Sequence, residues 1–176
     1  MLTLVGEDKP GIVGRVSSAV VECGANWQAS RMARLAGQFA GVLEVSVPSE
    51  SKGRLLTALG KLKDAGLHVV IQEADAFSPK AKRILFLELV GNDRSGIIQE
   101  ISQVLTKLGV NVGELSTERE EAPMGGGKLF RFSALLECSD TVQPEHVRVA
   151  LESVADDLMV ETRFSEPTKS GTHRLR

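Results

Sequence analysis

Two stretches of this chain, 85 residues apart, read alike, and that repeat limits the folds available to it. The first is Leu4-Val5-Gly6-Glu7-Asp8-Lys9-Pro10-Gly11-Ile12-Val13 and the second is Leu89-Val90-Gly91-Asn92-Asp93-Arg94-Ser95-Gly96-Ile97-Ile98. Aligned without a gap from Leu4 to Asn26 and from Leu89 to Asn111, nine positions are identical. Among them are Gly6/Gly91, Asp8/Asp93, Gly11/Gly96, Gly24/Gly109 and Asn26/Asn111. Two copies are too few for a solenoid, whose units need stacked neighbours. The pattern therefore predicts two small domains of one fold in tandem. Each copy, at about 85 residues, holds a thin core that is marginal alone, so pairing of copies or homodimerisation would help it.

Apolar spacing gives the order of elements within each copy. Leu2 to Val5 reads as a buried strand, and Asp8-Lys9-Pro10-Gly11 ends it. Ile12, Val16, Ala19, Val20 and Cys23 then recur at helical spacing, with Gly24 placed as a left-handed cap. Asn26 to Leu35 and Gln38 to Val47 read as a hairpin turning at Ala36-Gly37. Leu55, Leu59 and Leu62 mark a second helix stopped by Gly66, and Leu67 to Ile71 a last strand. The second copy repeats this order: a strand at Ile84 to Val90, a helix with Ile97, Ile101, Val104, Leu105 and Leu108, and strands at Asn111 to Glu120 and Lys128 to Cys138. A helix with Val147, Ala150, Leu151 and Val154 follows, then a strand at Met159 to Phe164. The expected fold class is α+β: two ferredoxin-like βαββαβ domains, each an antiparallel four-stranded sheet with helices on one face. The expected boundaries are 1–76 and 84–165, with a linker at 77–83, a mobile loop at Glu121 to Gly127, and a flexible tail at 166–176.

At Asp8-Lys9-Pro10-Gly11-Ile12-Val13 and Asp93-Arg94-Ser95-Gly96-Ile97-Ile98 the chain resembles ACT domains, small regulatory modules that bind amino acids. Gly24-Ala25-Asn26 and Gly109-Val110-Asn111 match the Gly-x-Asn that often opens the second strand of such modules. The tandem layout is similar to the glycine cleavage system transcriptional repressor group. That resemblance implies an accessory regulator that senses a small amino acid, glycine foremost, and acts through a protein partner such as a transcription factor. The ligand-binding residues it implies are Asp8, Lys9, Pro10, Gly11, Ile12, Val13 and Asn26 in the first copy. In the second they are Asp93, Arg94, Gly96, Ile97, Ile98 and Asn111. Ser95 stands where the motif has proline, which predicts a less rigid loop and favours the first site.

The residue chemistry suits such a ligand. A helix N-terminus offers unpaired N–H groups and partial positive charge to a carboxylate. Gly11 and Gly96 let a ligand approach the backbone. Asp8 and Asp93 would either neutralise an ammonium or cap the helix, and Asn26 and Asn111 both donate and accept. A loop of one copy facing a strand of the other would form a site at their interface. The alternatives are a ligand-free dimerisation or interaction module, or a regulatory region of an amino-acid or folate-pathway enzyme.

Other classes find little support. Net charge is −2, so the total does not suggest nucleic-acid binding. Phe130 and Phe132 alternate as in an RNA-binding strand, but inward packing explains them as well. No P-loop, dinucleotide fingerprint or nucleophile elbow is present, so no enzyme activity and no cofactor is expected. His68, His146 and His173 have no metal-binding spacing. Cys23 and Cys138 read as reduced thiols of a cytoplasmic protein. No leader or membrane-spanning run is read.

Overall fold

The computed structural model describes residues 1–73, 83–122, 127–154 and 158–164. Two compact units divide the chain, Met1–Ser78 and Pro79–Arg176. The first contains β1 (Leu2–Glu7), α1 (Ile12–Glu22), β2 (Asn26–Leu35), β3 (Gln38–Ser46), α2 (Lys52–Gly60) and β4 (Leu67–Ile71). The second contains β5 (Arg83–Asn92), α3 (Ile97–Lys107), β6 (Asn111–Glu121), β7 (Lys128–Cys138), α4 (Pro144–Glu152) and β8 (Met159–Phe164). Each sheet has four strands, ordered β2-β3-β1-β4 and β6-β7-β5-β8, and every pairing is antiparallel. This is the expected βαββαβ repeat.

Alternation along the central strands aims one face of each sheet at the helices. In the first unit Leu2, Leu4 and Leu43 pack with Ile12, Val16 and Val20 of α1 and Leu55 and Leu59 of α2. In the second, Leu85, Leu87 and Leu89 meet Ile97, Ile101 and Leu105 of α3 and Val147 and Leu151 of α4. Phe130 and Phe132 are 4% and 2% exposed, so they are core residues and offer no stacking surface to a base. Cys23 and Cys138 are buried free thiols, and burial pushes the Cys138 thiol up.

Turn chemistry fixes the corners. Ala36 and Gly37 both have positive φ, 48° and 76°, as a two-residue hairpin with right-handed strand twist requires. Gly24 and Gly109 leave α1 and α3 in the left-handed conformation, at φ 67° and 66°. Differences from expectation lie at element ends. β1 continues through Gly6 and Glu7 because these pair with Phe39 and Gln38. Arg83, expected in the linker, already belongs to β5, opposite Cys138. The second helix ends at Gly60 and tightens into a 3₁₀ segment, Lys61–Ala65, before the left-handed Gly66. The rest of the linker, the centre of the Glu121 to Gly127 loop, and the tail fall outside the described residues.

Gly14, inside α1, has nothing within 4 Å of where a Cβ would stand and has no special φ. Gly14→Ala should therefore stabilise the first unit by about 0.5–1 kcal/mol, since alanine loses less backbone entropy in a helix. Urea unfolding checks this; a destabilised variant would contradict the open surroundings of Gly14.

Candidate functional site

The motif forms the same turn in both units. Gly11 and Gly96 are the N-caps of α1 and α3, with φ/ψ of 89°/3° and 90°/−9°. Pro10 and Ser95 thus each precede a glycine of the same left-handed conformation. No side chain caps either helix. The first helical bonds run from Arg15 N–H to Gly11 O and from Glu100 N–H to Gly96 O. The N–H groups before them, in the first turn, have no acceptor within the helix. In both units the loop is tied to the neighbouring hairpin. Asp8 N–H donates to Gly37 O and Asp93 N–H to Lys128 O, both at 2.9 Å.

The aspartates do not cap; each takes an arginine from the edge strand. Arg119 Nε donates to Asp93 Oδ2 at 2.7 Å, and its Nη2 contacts the same oxygen. Arg34 Nη1 lies 3.3 Å from Asp8 Oδ2. Arg34 and Arg119 are themselves 85 residues apart, so the ion pair belongs to the repeat. Each arginine stands opposite a phenylalanine, Phe39 or Phe130, so the pair bridges one strand. The site residues expected from the sequence did not include these arginines. Extending the repeat comparison past Asn26 and Asn111 would have shown them at the same 85-residue offset. The Asp93 side chain is 15% exposed against 33% for Asp8, so the second pair is the more enclosed.

The two loops differ in their second charge. Arg94 grips Glu100 with two bonds, Nη1 to Oε1 at 2.8 Å and Nη2 to Oε2 at 2.5 Å. These bonds hold the Glu100 carboxyl below the usual carboxylate range. In the first unit Arg15 occupies the corresponding helix position. A cation there offers Lys9 no partner, and Lys9 pairs with Glu7 at 2.9 Å instead.

At the second loop these parts enclose a cleft of about 470 Å³. One wall is the loop and first turn of α3, from Asp93 to Gln99; the other is Thr117 to Arg119 of β6; Phe130 lies between them. Asp93, Arg94, Gly96, Ile97 and Ile98 are thus brought together. Asn111 is not. It opens β6 opposite Glu137, at the other end of the sheet from Arg119, and donates to Glu137 Oε2 at 3.3 Å. Asn26 likewise starts β2 opposite Ser46, whereas Arg34 near the loop lies opposite Phe39. Within a unit the asparagines belong to the far end. Another cleft, about 480 Å³, occupies that far end of the first unit among Leu2, Val45, Lys52, Leu55, Ile71 and Glu73, and no expected site residue lines it. Among the described residues no cluster of His, Cys, Asp and Glu could hold a metal ion, and no helix is long and apolar enough to cross a membrane.

Comparison with known proteins places this geometry. Residues 1–72 match the family model of the ACT domain. A crystal structure of a protein of unknown function from Galdieria sulphuraria is similar over 94% of this chain and 96% of its own, with 29% identity and a TM-score of 0.77. The crystal structure of a protein assigned as a glycine cleavage system transcriptional repressor covers the same shares at 18% identity and a TM-score of 0.70. No curated protein sequence matches the chain.

Proposed function

We propose that this chain of two βαββαβ domains, the first matching the ACT family model over residues 1–72, is an amino-acid-sensing regulatory protein that passes its ligand state to a protein partner. The observation that carries this reading is the cleft of the second unit. There a capless helix N-terminus, an aspartate–arginine pair and an edge strand converge on one small volume. An α-amino acid has one charge of each sign. Its carboxylate fits the first-turn N–H groups of α3, and its ammonium fits the acidic side chains Asp93 and Glu118. Arg119 orients the Asp93 carboxylate. Asp8, Lys9, Pro10, Gly11, Ile12 and Val13 form the equivalent loop of the first unit. Asn26 and Asn111 serve the strand starts of their own units in this reading.

Binding becomes regulation only if the ligand prefers one of two arrangements of the protein, because an equal preference shifts nothing. In the finer version of the proposal the protein is an accessory transcriptional regulator of glycine cleavage type, with a transcription factor as partner. Its support is the tandem layout shared with the repressor-type structure. Glycine is the favoured ligand by that analogy, although the smallest amino acid would leave much of a 470 Å³ cleft to water. The proposed role is to bind and signal, with no catalytic step assigned.

A thermal-shift titration with each of the twenty amino acids tests the proposal. A sensor should show a dose-dependent rise in Tm with one or a few of them, by mass action on the folded state. Flat curves into the millimolar range would overturn it and leave the ligand-free interaction module.

A further inference from the structure

Each sheet has an end away from its motif loop, and there the two units differ. In the second unit β5 begins at Arg83, and Leu85 lies in register between Leu136 of β7 and Phe164 of β8. Leu85 is 0% exposed and belongs to the core. In the first unit β1 begins at Leu2, which lies in register between Leu43 of β3 and Ile71 of β4. Leu2 and Leu87 correspond at the 85-residue offset of the repeat, so β1 supplies no residue at the step that Leu85 occupies. The flanking residues at that step are Val45, two places beyond Leu43, and Glu73, two places beyond Ile71. Both line the cleft of about 480 Å³ in the first unit, together with Leu2, Lys52, Leu55 and Ile71.

This cleft is apolar within and charged at its lip. Ile71 alternates in phase with Leu67 and Val69, on the face turned to the helices, yet it is 38% exposed. Lys52, Leu55, Leu56 and Leu59 lie on one face of α2 and border the same cleft. Leu55 and Leu59 are buried, while Leu56 stays exposed. Glu44 alternates with Leu43 and Val45, which turns its side chain to the other face of the sheet. The amino group of Met1 donates to Gln72 O at 2.7 Å. Among the described residues, the charged side chains at the lip are thus Lys52 and Glu73, whose Nζ and Oε1 are 2.5 Å apart. Both side chains are exposed, and an exposed ion pair contributes little, so another anion can replace Glu73 at small cost.

We propose that this cleft binds an aliphatic carboxylate, whose chain fills between Val45 and Glu73 the step that Leu85 fills in the second unit, and whose carboxylate takes Lys52 from Glu73. The volume suits a small molecule, and its apolar lining favours a hydrocarbon chain. Lys52 stands in the first turn of α2, where the partial positive charge of the helix adds to its own. An anionic head is therefore favoured over an ammonium, which would find only the exposed Glu73. The proposal does not rest on the amino-acid reading, and none of these residues belongs to a motif loop.

Titration of the isotope-labelled full chain with octanoate, octylamine and octanol, followed by amide NMR shifts, tests this. Octanoate should bind saturably, shift the amides of Val45, Lys52, Leu55 and Ile71, and raise the Tm with dose. Lys52→Gln should weaken octanoate several-fold and leave octanol unchanged. Ile71→Trp puts an indole into the cleft from a partly exposed position, and should abolish binding of both in a folded protein. Should Ile71→Trp fail to fold, the contrast between octanoate and octanol in Lys52→Gln still decides. No saturable shift into the millimolar range would overturn the proposal. So would shifts confined to other residues, octylamine binding as tightly as octanoate, or octanoate affinity indifferent to Lys52→Gln. Since no amino acid enters this experiment, its failure leaves the sensor proposal standing.

Discussion

Gly6→Ala should destabilise the first unit by about 1–3 kcal/mol, the usual cost of forcing a methyl into a packed interior. Gly6 is in phase with Leu2 and Leu4, so its missing side chain would point at the helix layer. A Cβ there would lie 2.5 Å from Gly66 O and 3.2 Å from Leu67 Cδ1. The closest atom is backbone, and it belongs to a left-handed turn at φ 79° that ends one element and begins β4. That turn cannot yield as a flexible side chain would. In urea the unfolding midpoint should fall with little change in slope, which marks a stability change in a native state of unaltered compactness. Melting should drop by about 4–8 °C for each kcal/mol in a domain of this size. Gly14→Ala, with the opposite expected sign, is the internal control. A Gly6→Ala variant as stable as wild type would mean that the β1–Gly66 approach is looser than described. Gly6 therefore serves packing, a role distinct from that of Gly11 only five residues on.

Much of this architecture was legible because each copy checks the other. The apolar spacing of Ile12, Val16, Ala19 and Val20 recurs at Ile97, Ile101, Val104 and Leu105, so a chance helical pattern is improbable twice. Ala36-Gly37 and the glycines at 24, 66 and 109 gave the turns because positive φ leaves few residue choices. What escaped the sequence was long-range. That Asp8 and Asp93 pair with arginines depends on which residue of a neighbouring edge strand the register brings alongside, and helix spacing says nothing of that. Within a unit, the strand that Asn26 or Asn111 begins carries it away from that unit's own loop. A strand advances about 3.3 Å per residue, so eight residues from Asn26 to Arg34 span most of the sheet. Around Ser95, Gly96 in the left-handed conformation and the Asp93–Lys128 bond make the turn that Pro10 precedes in the first unit. The two loops differ in enclosure all the same, the Asp93 side chain being 15% exposed and that of Asp8 33%.

Gly96→Val should reduce amino-acid affinity at least tenfold while leaving a folded protein. Two effects combine and can be separated. Gly96 has φ 90°, where an L-residue costs about 1–2 kcal/mol and a β-branched one fits worst. Among the described residues, an added Cβ meets only Glu100 Oε1 within 4 Å, at 3.8 Å. Valine is thus strained at this site but not sterically excluded, and the second unit should survive with a modest loss of stability. Its two methyl groups would stand over the first-turn N–H groups of α3 that the proposal assigns to the ligand carboxylate. Gly96→Ala suffers most of the same backbone strain with much less bulk. Calorimetric titration of both variants, with whichever amino acid raises the Tm of the wild type, divides the effect. Weakening in valine well beyond that in alanine indicates a ligand seated against the backbone. Equal weakening indicates that the turn's conformation matters and the approach does not. Unchanged affinity in a folded Gly96→Val protein would remove the α3 N-terminus from the site. Gly11→Val makes the same comparison at the first loop, where φ is 89° and a Cβ meets nothing within 4 Å. If only Gly96→Val weakens binding, the enclosed Asp93–Arg119 cleft is the working sensor, and the retained glycine of the first unit serves its turn.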